Sequence, residues 1–338
     1  MNKALISGYF SFGNIGDEAI KIVLRKELSS LNVYPQFLVK EVKEAGEIKR
    51  DNLWDIIRGI VTSNFVISGG GGLLQDRTSS RSLYYYLSIL ILAKIFKKKA
   101  FIIGQGIGPI NRNINRILTK ITLNKCDLIS VRDGASKKLL EEIGVKKEIF
   151  VTQDLSFLYE IEFLKKDLSH TQYNILQVKG RENIDIEEMA DIARLMHDKT
   201  KEEIVILPFF RNVDEPFARE IEKRTGFKVL VKDNVDEVLT IMNSAHIIVG
   251  MRYHSLLFSI LLQKPVLPIF YDNKMRNLSK FFELDGIDID KLNLPNFSKA
   301  FDTLLKNEEE IKKRIKDTLP IAKAYARKNF DLIIKYIS

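Results

Sequence analysis

A single cysteine, Cys126, in 338 residues excludes an intrachain disulfide and leaves no thiolate set to hold a metal. There are only four histidines, and His170, His197 and His246 lack metal-ligand spacing, so they read as ordinary side chains. Asp288-Ile289-Asp290 lies in a polar turn and reads as solvated acid, so no metal is expected. No apolar stretch reaches the roughly 20 residues that a helix needs to span a bilayer. The longest nearly uncharged one is 83–93. The amino terminus shows no signal-peptide pattern and runs straight into a strand-like one, so cytosolic residence is expected. One absence is local: from 251 to 271 there is neither Asp nor Glu.

What is present is a chain with 45% hydrophobic and 29% charged residues, the composition of a globular protein, and long enough for two cores. The net charge of +9 points to an acidic partner. The basic residues read as dispersed, with no basic–aromatic module, which argues against nucleic acid. Short β-rich runs alternate with helix-period segments throughout, the pattern of parallel sheets wound by helices. Strands are expected at 4–7, 36–39, 65–68, 100–104, 128–131 and 149–152, then at 174–178, 204–207, 228–231, 246–249 and 266–269. A polar string at 163–172 reads as a linker. The fold class is therefore α/β, with two Rossmann-like domains facing a cleft. Their expected bounds are 1–165 and 171–317, followed by a helical segment, 318–338, that packs back on the first domain. Pro320 is expected to break or start a helix. The segment 83–99 ends in Lys97-Lys98-Lys99 and reads as a buried helix, with peripheral contact to an anionic membrane as the alternative.

The motifs cluster at expected strand ends. Ile247-Ile248-Val249-Gly250-Met251-Arg252-Tyr253-His254-Ser255 closes an apolar strand on glycine and then presents a fixed cation and an imidazole. With Lys264, Lys274 and Arg276 following and no acid in the span, this suits a small, highly charged anion. Gly13-Asn14-Ile15-Gly16-Asp17-Glu18 opens the first helix but lacks dinucleotide-fingerprint spacing, and its acids would repel a pyrophosphate while accepting sugar hydroxyls. Gly69-Gly70-Gly71-Gly72 leads into Gln75, Asp76 and Arg81, a polar surface suited to carbohydrate or phosphate. Gly104-Gln105-Gly106-Ile107-Gly108-Pro109 repeats the design, and Val131-Arg132-Asp133 adds a cation after the next strand. For Arg132 a surface pair with Asp133 is the bland alternative.

Taken in order, and with Thr152-Gln153-Asp154, these motifs resemble those of the polysaccharide pyruvyl transferase family, closest to its cell-wall CsaB branch. The chain departs from the common pattern at Tyr253, where Leu is usual. The resemblance implies a GT-B-like fold, phosphoenolpyruvate as co-substrate, no cofactor, and pyruvate transferred as a ketal onto two hydroxyls of one sugar. For that branch it implies a lipid-linked acceptor containing N-acetylmannosamine, in secondary cell-wall polymers that anchor surface-layer proteins, and work at the inner face of the plasma membrane. His254, Arg252 and Arg132 are the expected catalytic residues, His254 as the acid that protonates the enol carbon. Arg252, Lys274, Arg132 and Ser255 are expected to bind the donor. The acceptor is expected on Asn14, Asp17, Glu18, Gly71, Gly72, Gln75, Asp76, Arg81 and Gln105, with Asp17, Glu18 or Asp76 as its base. The alternatives are a glycosyltransferase of similar fold with a nucleotide-sugar donor, disfavoured by the acid-free span, and a non-catalytic binder of anionic glycolipid.

Overall fold

A computed structural model describes residues 1–77, 79–162, 172–180 and 184–337. His170 and the expected linker, apart from Gln172, lie outside the described residues. The chain divides into two compact units. The first comprises Met1–Phe12, Asp17–Tyr159 and Ala322–Ser338, the second Gly13–Gly16 and Glu160–Ile321.

The first unit holds strands β1 (Asn2–Phe10), β2 (Val33–Val39), β3 (Glu47–Lys49), β4 (Phe65–Gly69), β5 (Lys99–Gln105), β6 (Leu128–Val131) and β7 (Phe150–Val151). They pair in parallel in the order β3-β2-β1-β4-β5-β6-β7. Helix α1 (Ile15–Ser30) follows β1. Helices α2 (Leu53–Thr62), α3 (Ser80–Ile95), α4 (Asn113–Leu123) and α5 (Gly134–Ile143) make the later crossovers. Alternation along the central strands feeds two cores: Val66, Ala100 and Ile102 meet α2 to α5 on one face. Phe101 points to the other, its ring 5.1 Å from Tyr336. Full burial of a side chain such as Phe101 is worth about 1.5–3 kcal/mol. Helix α3 buries Leu83, Tyr86, Leu87, Ile89, Leu90 and Ala93.

The second unit repeats the plan with β8 (Tyr173–Gln177), β9 (Glu203–Ile206), β10 (Lys228–Val229), β11 (Ile248–Gly250), β12 (Val266–Phe270) and β13 (Ile287–Asp288). The parallel order is β10-β9-β8-β11-β12-β13. Its helices are α6 (Ile186–Thr200), α7 (Arg211–Thr225), α8 (Val235–Ser244), α9 (Tyr253–Leu261), α10 (Asn273–Phe281) and α11 (Leu294–Lys306). In both sheets the winding reverses beside the first strand, between β1 and β4 and between β8 and β11. Open α/β sheets hold ligands outside the carboxyl ends of their strands at such points.

Two expectations are corrected. The last helix, α12 (Glu308–Ile337), runs through Pro320 without a break. Buried Leu319 and Ala322 pack on either side of the proline, and the helix interruption falls at Asn307 instead. The short strands β3 and β13 were not expected, being three and two residues paired along one edge. From Ala322 onward α12 groups with the first unit. There Asn329, fully buried, accepts from the hydroxyls of Ser130 and Thr152 and donates to the carbonyl of Gln153.

Candidate active site

In the second unit the loops leaving β8, β9 and β11 meet on one side chain that the sequence reading did not single out. Asp214, in the first turn of α7, is fully buried. It accepts N–H bonds from Gly180, Phe209 and Phe210 at 2.9–3.2 Å. The same carboxylate grips the Arg252 guanidinium in bidentate fashion, Nε to Oδ2 at 2.6 Å and Nη2 to Oδ1 at 2.5 Å. Gln177, at the end of β8, fixes the backbone of the same residue: its Oε1 accepts from the N–H groups of Met251 and Arg252 at 3.1 and 2.8 Å. Arg252 is thus held at both ends, and Nη1 stays uncommitted among the described residues. An acid in a helix's first turn is ordinary in sequence terms, so nothing in the pattern set Asp214 apart.

His254 lies in the first turn of α9 with its ring against the backbone of Gly16. A Cβ on Gly16 would fall 1.9 Å from Nδ1, so only glycine allows this approach. The segment 13–16 is docked within this unit by the Ile15 N–H to Phe209 carbonyl bond, 3.0 Å, and by an Asn14–Phe210 bridge. Asn14 accepts the Gly16 N–H and groups with the second unit, apart from the other acceptor candidates. Ser255 is fully buried, and its hydroxyl donates to the Arg252 carbonyl at 2.7 Å, a use internal to the helix start.

The acid-free span does not make an acid-free site. Asp214 faces Arg252, Asp272 lies 3.4 Å from Lys274, and Asp288 pairs with Arg276. Lys179, just past β8, restores the balance: its Nζ sits 3.2 Å above the Tyr271 ring, which Lys274 also approaches at 5.9 Å. Lys179, Arg252 and Lys274 against Asp214 and Asp272 leave a net positive charge before His254 is counted. Burial opposes charge on Asp272, but Lys274, the Met275 N–H, Tyr271 and Lys179 outweigh it and hold its carboxyl below the usual value.

In the first unit the glycine run bends around Asp17. Gly70 and Gly71 have φ of +65° and +66°, and a Cβ on Gly71 would lie 2.9 Å from Asp17 Oδ1. Gln105 is fully buried and donates to Ser68 Oγ and the Gly70 carbonyl, supporting the run from beneath. The Glu18 carboxyl accepts the Ser11 N–H at 2.5 Å, and burial lifts its pKa above the ordinary value although that bond and Lys21 oppose the rise. Asp76 is spent internally. It takes N–H bonds from Asn111, Arg112 and the Asn115 side chain at 2.8–3.0 Å. Burial pushes its pKa up, but these donors hold it below the usual range. A carboxylate so engaged is a poor base, which removes it from the three candidates. Gln75 accepts the Arg77 N–H, Arg81 is exposed in the first turn of α3, and Gly72 meets no side-chain constraint. Arg132 does approach Asp133, Nε to Oδ2 at 3.7 Å, but not at the surface. It is buried against Gly106 and bonded at 3.0 Å to Asp154, itself fully buried.

Residues 14–273 match the family model described as polysaccharide pyruvyl transferase, over three quarters of the chain. The chain belongs to this family. A pyruvyl transferase moves a pyruvyl group to a polysaccharide, so this protein is a transferase with a sugar acceptor. The matched span takes in Arg252, His254 and the glycine-rich motifs from Asn14 onward, and stops one residue before Lys274. Solved structures show the same fold. UDP-GlcNAc 2-epimerase from Neisseria meningitidis, bound to UDP-GlcNAc, has a TM-score of 0.62 at 15% identity, covering 100% of this chain and 99% of that one. A glycosyltransferase from Rickettsia africae gives 0.62 at 12%, with both chains fully covered. MurG from Acinetobacter baumannii gives 0.55 at 8%, covering 99% and 100%. Such identities speak for the fold alone, two Rossmann-like units of GT-B type. No curated protein matches the pyruvyl transferase chain. Among its described residues no helix is long and apolar enough to cross a membrane, and no group of His, Cys, Asp and Glu could hold a metal ion.

Proposed function

We propose that this pyruvyl transferase takes its pyruvyl group from phosphoenolpyruvate and sets it as a ketal on two hydroxyls of one sugar, releasing phosphate. The acceptor is N-acetylmannosamine in a lipid-linked cell-wall precursor, met at the inner face of the plasma membrane, as in the CsaB branch. The observation that carries the donor assignment is Arg252, fixed at both ends by Asp214 and Gln177 beside His254, at the winding reversal of the second sheet. A guanidinium held in this way presents its remaining N–H groups to a carboxylate or phosphate without rearranging. Lys179 and Lys274 supply further positive charge, and the start of α9 adds its own partial charge.

In this reading His254 gives its proton to the methylene carbon of the enol while one acceptor hydroxyl adds to the adjacent carbon and loses its proton to a base. Phosphate then leaves that carbon, the second hydroxyl takes its place, and its proton departs to solvent. The bound anion favours the charged imidazole, so donor binding and proton supply reinforce each other. Glu18, whose carboxyl burial leaves readier to hold a proton, is the base on the acceptor side.

The test is incubation with phosphoenolpyruvate and a panel of synthetic sugar acceptors, following phosphate release and the mass of a pyruvate ketal. Turnover on an N-acetylmannosamine acceptor supports the reading. Turnover with UDP-sugars and none with phosphoenolpyruvate would replace it with the glycosyltransferase reading.

A further inference from the structure

Helix α4 is built inside out. The side chains it buries are mostly polar: Asn115, Thr119 and Thr122, with Leu123. Asn115 spends its amide on Asp76 and Ser80, and Thr122 returns its hydroxyl to the Leu118 carbonyl. Its isoleucines stand outward at helical spacing, Ile114, Ile117 and Ile121 at 54%, 51% and 50% exposure. A helix whose apolar stripe faces away from its own core calls for an apolar neighbour outside the fold. The stripe is not isolated. Helix α3 packs beside α4 and exposes Ile91 and Ile95, and Trp54 of α2 is 79% exposed.

The same stretch carries the protein's charge. Residues 77–126 contain ten Lys and Arg and no Asp or Glu, so the basic residues are not dispersed. The other 288 residues hold 43 bases against 44 acids, and the whole +9 excess therefore belongs to this segment. Arg112 and Lys120 flank the isoleucines in the sequence, Lys97 follows the end of α3, and all three are exposed.

We infer that the outer face of α3 and α4 is a docking surface for an anionic lipid bilayer, seated at the interface with Ile114, Ile117 and Ile121 in the acyl boundary. It adds to the lipid-linked acceptor reading the surface by which the enzyme reaches its acceptor. Charge selects the occupant. Two copies meeting through this face would bring the exposed cations Lys97, Arg112 and Lys120 against their own copies, whereas an anionic leaflet attracts each exposed cation and accepts the isoleucines beneath its headgroups.

Sedimentation with phosphatidylcholine vesicles, and with vesicles of phosphatidylcholine and phosphatidylglycerol, tests this on the full chain without donor or acceptor. A failure of pyruvyl transfer therefore cannot be mistaken for a failure here. The wild type should bind the mixed vesicles and release at high salt. Ile114→Gln/Ile117→Gln/Ile121→Gln should lower binding by about tenfold or more, and Lys97→Gln/Lys120→Gln should weaken it in the mixed vesicles only. Both variants change exposed positions, so they should keep the wild-type unfolding temperature and activity on a short soluble acceptor. Undiminished vesicle binding by the isoleucine variant overturns the inference. So does light scattering that shows a wild-type dimer split by that variant, which would make the occupant a second copy.

Discussion

At the scale of the residue, the site turns on how a cation is aimed. Arg252 without Asp214 would have a rotatable side chain and a diffuse charge. With it, the guanidinium is fixed and part of its charge is spent. Replacing arginine by lysine keeps charge and loses the fork, so Arg252→Lys should raise the donor KM sharply. Asp214→Asn should act through Arg252 and cost about 10–10² in kcat/KM, the loss expected when a reacting group is misplaced by about 1 Å. The double variant should then be little worse than Arg252→Lys alone, because both changes remove one interaction. Strictly additive losses would show that Asp214 does not position Arg252. His254→Ala should keep the fold and lose about 10²–10⁴-fold in turnover, the contribution of a positioned acid. Near wild-type turnover would remove His254 from the mechanism.

At the scale of the element, Asp76 decides how the loop after β4 is joined to the start of α4. Its pKa is lowered in the folded chain, so the stabilisation it provides is complete above the unfolded value near 3.9 and fades as pH falls through the folded value. Asp76→Asn, neutral at every pH, should lower stability by about 1–3 kcal/mol at pH 7, with the gap narrowing below about pH 4. Denaturant titrations of both proteins from pH 7 to 3 measure this, and a gap independent of pH would show that the carboxylate charge is not what the N–H donors hold. Such elements explain what the sequence could reveal. Central strands such as β4 and β5 are continuous apolar runs bounded by glycine and lysine, a pattern with one reading. The edge strands β3 and β13 carry too few residues for periodicity, and their pairing is decided by neighbours far away in the chain. Helix α4 has clear periodicity, but its apolar face points outward, so the pattern shows a helix and misleads about its packing. Glycine and arginine at strand ends marked the site. The groups that aim it, Asp214 and Gln177, are common residue types at common positions and become distinctive only through burial and partners.

At the scale of the whole molecule, the same strand order occurs twice, yet the two switch points carry different chemistry. The first sets the Asp17 carboxylate against bent Gly71, with Glu18 on the Ser11 N–H beside it. The second sets Lys179, Arg252 and Lys274 against two carboxylates. An anionic donor that binds the second should therefore stabilise the native chain by mass action, by about 2.7 kcal/mol at a hundredfold excess over its Kd. Phosphoenolpyruvate should raise the unfolding temperature without added metal, and UDP-GlcNAc should not. Lys274→Ala should shrink the shift, since its ammonium also neutralises Asp272, and Arg252→Lys should nearly abolish it. Both variants must first be shown to unfold at wild-type temperature without ligand, because Arg252 also satisfies a buried carboxylate. Should phosphoenolpyruvate leave the transition unmoved while UDP-GlcNAc raises it, the second switch point is a nucleotide-sugar site, and the donor assigned to this pyruvyl transferase is wrong.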